Sequence, residues 1–151
     1  MRLNINIGDV INLADILRNQ EGENLDYKSQ YATVNSDLIH DVLCLANSVI
    51  DSDRLLIFGI NDDKSVVGVE NDPNRKNQAD ILNVLRTSRL VKSPNVFLKT
   101  EQYENHEVDI LVIKNESEKP YFLTEDYTAS GRPLRAGVIY SRVGDTNTPI
   151  N

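Results

Sequence analysis

The sequence predicts an α+β fold, with about three helices against a mixed, largely antiparallel sheet. Three observations carry this. Leu55-Leu-Ile-Phe58 is an unbroken apolar run, as expected of a strand covered on both faces. Leu38, Ile39, Val42, Leu45, Ala46 and Val49 recur at helical spacing and form one apolar stripe. Residues 96–103 and 108–114 read as two strands joined at Glu104-Asn105, the pattern of a hairpin.

The elements follow in order. Val10, Leu13, Ala14 and Leu17 predict a short first helix over 9–18, and Asn19-Gln-Glu-Gly22 is its stop. Leu25-Asp-Tyr-Lys28 alternates and predicts a brief strand. Asn35 or Ser36 can then cap the helix that carries the apolar stripe. After the central strand, Asn61-Asp-Asp-Lys64 supplies turn residues before Val66-Val-Gly-Val69, which predicts a β-hairpin. Asp72-Pro-Asn74 breaks the chain ahead of a third helix over about 77–90, with Ile81, Leu82, Val84 and Leu85 for the core and Pro94 beyond it. Pro120-Tyr-Phe-Leu123 and Val138-Ile-Tyr140 predict two further short strands, separated by the loop Ser130-Gly-Arg-Pro133.

Composition narrows the class. The 151 residues suffice for one ordinary domain with a real core, and 40% hydrophobic with 26% charged residues is a globular balance. No run approaches the ~18 apolar residues of a membrane span, and the start lacks a charged region followed by an apolar one. One cysteine, Cys44, excludes an internal disulfide and a multi-cysteine zinc site, and fits a reducing cytoplasm. A cytoplasmic protein without a membrane partner is the expectation. Net charge is −7, opposite to the balance of a domain that grips phosphate nonspecifically. The charge is uneven: residues 1–70 hold five basic and twelve acidic side chains, and residues 71–151 hold eleven of each. A cationic surface must therefore come from the second half, where Arg86, Arg89 and Lys92 lie on or after the third helix and Arg132, Arg135 and Arg142 lie near the end.

Candidate chemistry is sparse. Glu21, Glu23 and Asp26 crowd a helix end and a short strand with Lys28 close behind, and Asp62 and Asp63 sit in the turn after the central strand. Carboxylates converging on one point can hold Mg²⁺ or Mn²⁺, which activates water and offsets charge developing on a phosphoryl group. In an acidic chain the same residues also serve as exposed caps and turns. His40 and Cys44 lie four apart on the second helix, but two ligands do not make a zinc site, and a buried thiol beside an ordinary histidine is expected. No glycine-rich phosphate loop occurs.

Taken in order, Glu21-Gly-Glu-Asn-Leu-Asp-Tyr-Lys28, Leu45-Ala-Asn-Ser48, Leu55-Leu-Ile-Phe-Gly-Ile-Asn-Asp62, Val66-Val-Gly-Val69, Lys119-Pro-Tyr121 and Ile139-Tyr-Ser-Arg-Val-Gly144 resemble the Schlafen AlbA-like (AlbA_2) domain family. The resemblance runs from about residue 21 to the end, which divides the chain into an N-terminal helical segment, 1–20, and an AlbA_2-like domain, 21–151. It implies a nucleic-acid-binding module, with DNA or RNA as partner, of a kind found in bacterial transcriptional-regulator-like proteins. It also implies an alternative, because Schlafen relatives include metal-dependent endoribonucleases whose carboxylate triad would fall on Glu21, Asp26 and Asp62, with Lys28 positioning the phosphate and Mg or Mn as cofactor. A third reading is a protein-interaction domain that pairs as a homodimer or with a downstream domain of the same chain. Since the family pattern usually continues into a helix past Thr146-Asn-Thr-Pro-Ile-Asn151, the resemblance implies the N-terminal fragment of a longer protein. Two departures stand out. Asp26 replaces the usual Glu, and Asp51-Ser-Asp-Arg54 replaces a Gly-Gly turn, so that two extra carboxylates repel phosphate if that turn approaches nucleic acid in the family.

Overall fold

The computed structural model describes residues 13–18, 24–143 and 146–150, without the side chains of 146, 148 and 150. The elements are α1 (Leu13–Ile16), β1 (Leu25–Lys28), α2 (Asn35–Ala46), β2 (Arg54–Phe58), α3 (Gln78–Thr87), β3 (Val96–Tyr103), β4 (His106–Ile113), β5 (Ile139–Val143) and β6 (Thr146–Ile150). The first four strands in chain order form one sheet, β1-β2-β4-β3, and β5 and β6 pair as a separate hairpin. β1 runs parallel to β2, which requires a crossover, and α2 supplies it. The remaining pairings are antiparallel, so the sheet is mixed and largely antiparallel as the sequence predicts.

β2 is central because its side chains have nowhere else to go: it is buried at all five positions. Alternation splits the sheet into two apolar faces. Leu56, Phe58, Leu111 and Ile113 pack under α2 and α3, with Leu38, Ile39, Val42, Leu45, Ile81 and Leu85 closing that core. Leu55, Ile57, Val108, Ile110 and Val112 face the opposite way against Leu13, Ile16, Leu25 and Tyr27. Truncating a fully buried leucine of β2 to alanine should cost about 2–5 kcal/mol, since neither layer can collapse onto the other through the sheet.

Local chemistry sets the helix ends. Asn77 accepts from the Asp80 amide at 2.8 Å while the Asp80 carboxylate accepts from the Asn77 amide at 3.0 Å, a reciprocal capping box that starts α3. α2 starts one residue earlier than its polar residues predict: Val34 is the N-cap, with no side-chain cap, and Asn35 is already helical. It also ends sooner, at Ala46, so Val49 lies beyond the apolar stripe and is 85% exposed.

Two predicted strands are replaced by loops. Residues 66–69 do not pair along β2; a single bridge joins Ile60 to Val66. Val67 and Gly68 both donate to the Gly59 carbonyl, at 2.9 and 3.0 Å, and the chain then crosses to β4 through Val69 N–H and the Glu107 carbonyl. Gly59 and Gly68 both have positive φ, and a Cβ on Gly59 would stand 3.1 Å from Gly68 Cα, so the two glycines allow a close crossing where a hairpin was expected. Residues 120–123 are held by Leu90↔Leu123, one bridge and not a strand.

The turn before β2 also differs from expectation. Asp53 is buried and bonded to Lys114 Nζ at 3.1 Å and to the Asn115 amide at 2.8 Å; Asp51 accepts from Asn115 Nδ2 at 2.8 Å. Arg54 is fully buried, donating to Asn115 Oδ1 at 2.6 Å and to the carbonyls of Ser48 and Ile50 at 2.5 and 2.8 Å. Charges that read as an outward acidic turn are largely internal ties between the β2 and β4 ends.

Candidate nucleic-acid interface and the charged cluster behind it

β1 brings Asp26 and Lys28 onto the same face of the sheet as Leu56 and Phe58, because strand side chains alternate and Asp26↔Leu56 and Lys28↔Phe58 are register partners. The first turns of α2 place Asp37, His40, Asp41 and Cys44 over that edge, since residues three and four apart share a helix face. The β5-β6 hairpin closes the cluster with Arg142 and Asn147. Lys28 Nζ lies 3.3 Å from Asp26 and 3.6 Å from Asp41, and Arg142 lies 3.5 Å from Asp26. Arg142 also donates to Asn147 Oδ1 at 2.7 Å, and Asn147 Nδ2 donates to Asp41 at 3.2 Å, so the ring closes on itself.

This environment pulls its groups in different directions. Burial lowers the affinity of Lys28 for its proton, yet Asp41 and Asp26 together hold it above the ordinary lysine value. Burial pushes the Asp41 carboxyl up to about 6, against the pull of Lys28. Burial pushes the Cys44 thiol up to about 12, so this cysteine is not a nucleophile at neutral pH. His40 is lowered to about 4, by burial and then by Arg132, whose Nη2 lies 2.8 Å from His40 Nδ1. His40 therefore stays neutral and accepts from the guanidinium, which is also 3.4 Å from Asp37.

Of the three carboxylates implied as cation ligands, Asp26 and Asp62 lie in different surroundings. Asp26 is inside and faces two cations; Asp62 is exposed on the turn after Ile60; Glu21 lies outside the described residues. No group of three or more His, Cys, Asp or Glu that could hold a metal occurs among the described residues.

The candidate phosphate contacts separate by environment. Arg86 and Arg89 are exposed, at the last turn of α3 and just past its end, and neither meets a carboxylate among the described residues. Lys92 follows, donating to the Glu118 carbonyl and sitting 5.0 Å above the Tyr121 ring. Arg132 is exposed yet tied to α2 as above, and Arg135 is exposed and paired with Asp126 at 3.1 Å. Arg142 is inside, at 3% exposure. Asp41 and Asn147 were not among the residues singled out from sequence; the signal that could have found Asp41 is its place beside His40 and between Asp37 and Cys44 on one helix face.

A family model described as Schlafen, AlbA_2 matches residues 21–151. The chain belongs to the Schlafen AlbA_2 family. The fold of this AlbA_2 domain is similar to that of the DIP2311 protein of Corynebacterium diphtheriae, at TM-score 0.56 and 20% identity over 85% of this chain. The domain spans 22% of the length of that protein. The N-terminal domain of a RecG-related protein from Nitrosomonas europaea aligns at TM-score 0.48 and 18% identity, covering 83% of this chain and 86% of that one. No curated protein matches the AlbA_2 domain. Among the described residues, no helix is long and apolar enough to cross a membrane.

Proposed function

We propose that this chain is a nucleic-acid-binding module of a transcriptional regulator, and that it contacts the phosphates of duplex DNA through Arg86, Arg89 and Lys92, with Arg132 and Arg135 flanking. One observation supports it above the family membership. Arg89 has φ of 60°, the left-handed conformation at the position after a helix where glycine is the ordinary choice. A side chain there costs roughly 1–2 kcal/mol, because Cβ crowds the following carbonyl oxygen, and no ion pair of Arg89 among the described residues offsets that cost. An exposed cation kept at a strained position, with the exposed Arg86 one turn away, supports a contact with an anion from outside.

The test is fluorescence anisotropy with a DNA duplex and, separately, a folded RNA, over a salt series. Affinity for the duplex should fall with salt, and Arg86→Ala with Arg89→Ala should weaken binding while lowering the log-log slope by about 0.9 for each phosphate no longer neutralised. Binding that ignores salt, or variants with wild-type slopes, would overturn the reading. Stronger binding to the folded RNA would replace the duplex with RNA.

A further inference from the structure

β3 forms one edge of the four-stranded sheet. The hydrogen bond from Lys114 N–H to the Asn95 carbonyl fixes which alternate residues of the strand bond to β4, so 97, 99, 101 and 103 face β4 while Val96, Leu98, Thr100 and Gln102 turn their backbone groups outward. The outward Leu98 N–H is held by Gln78 Oε1 at 3.1 Å, in keeping with that phase. An eight-residue edge strand of this kind is a template for another strand.

The sequence of that edge reads the same way in complement from either end. About a two-fold axis at Thr100, antiparallel pairing with an identical strand sets Thr100 opposite Thr100, Lys99 opposite Glu101, Leu98 opposite Gln102 and Phe97 opposite Tyr103. The outward backbone groups of 98, 100 and 102 then meet the outward groups of 102, 100 and 98, so the hydrogen-bonding phase fits as well, with about six bonds across the junction. Lys99 and Glu101 fall on non-hydrogen-bonded pairs, where side chains approach most closely, and both charge pairs are complementary. In the single chain these two residues pair with each other, at 2.8 Å along one strand. Phe97 and Tyr103 are half-buried against the second core and flank the charges on the same face.

We propose that β3 docks a second copy of this chain, joining two four-stranded sheets into one continuous sheet across a Thr100-centred antiparallel junction. Gln102 of the second copy takes the Leu98 N–H that Gln78 holds in the single chain. Both copies present α2 and α3 on the same face, because opposed residues of paired strands point to one side.

Sedimentation velocity of the full chain over a concentration series tests this. The wild type should dimerise reversibly. Lys99→Glu sets like charges opposite each other twice and should weaken the dimer by about tenfold or more, as should Glu101→Lys. The double variant Lys99→Glu with Glu101→Lys restores both pairs and should recover wild-type association. Gln102→Pro removes an outward N–H that β4 does not use, so the fold should survive, as read by circular dichroism, while the dimer is lost. A wild type that stays monomeric throughout overturns the proposal, as does a dimer indifferent to the single charge reversals or not recovered by the double variant.

Discussion

Arg142 of β5 and Asp26 of β1 face each other at 3.5 Å, with 3% and 5% of their surfaces exposed, so the late hairpin is tied to the first strand by a buried ion pair. Breaking a buried pair costs more than the pair itself contributes, because the remaining charge has left water without compensation. Arg142→Met should destabilise the fold by about 3–5 kcal/mol in urea denaturation. Adding Asp26→Asn should recover part of that loss. A single variant as stable as wild type would show that Lys28 alone satisfies Asp26.

Asp41 should give the fold an unusual dependence on pH. Its carboxyl is pushed up from the ordinary 3.8 to about 6, so the folded state holds the proton longer than the unfolded chain. The stability this contributes is fully present below about pH 4 and is lost as pH rises through 6. Asp41→Asn keeps a neutral side chain and removes that slope. Unfolding free energies between pH 4 and 7 should therefore converge at low pH and diverge in favour of the variant above it; parallel profiles would show that Lys28 neutralises Asp41 completely.

Arg89 separates function from stability. With φ of 60°, it carries a Cβ in the left-handed region, and its carbonyl serves Thr124 through the amide at 2.8 Å and the hydroxyl at 2.9 Å. Glycine keeps those backbone bonds. Arg89→Gly should raise stability by about 0.5–1 kcal/mol while weakening duplex binding and its salt dependence. A variant less stable than wild type would mean that the arginine side chain holds the helix end.

The fold class was legible because its carriers are local. The stripe on α2 and the apolar run of β2 answer to period and composition, and a buried strand with covering helices has few other arrangements. The burial of Cys44 followed in the same way. The 66–69 hairpin did not follow, because Asp-rich turn residues describe a reversal but not what lies beyond it; Gly59 and Gly68 decide that, by their close approach.

Periodicity and composition carry the helices, the central strand and the hairpin of β3 and β4, and the motif order carries the family. Which charges face water depends instead on how the elements pack. Arg132, Arg135 and Arg142 are near neighbours in sequence, yet Arg142 is enclosed with Asp26 while the other two are exposed. Asp53 is likewise internal and Asp62 external. Hydrophobic periodicity is written along one element at a time, whereas the burial of a charge depends on whether another element brings it a partner, and that partner comes from far along the chain.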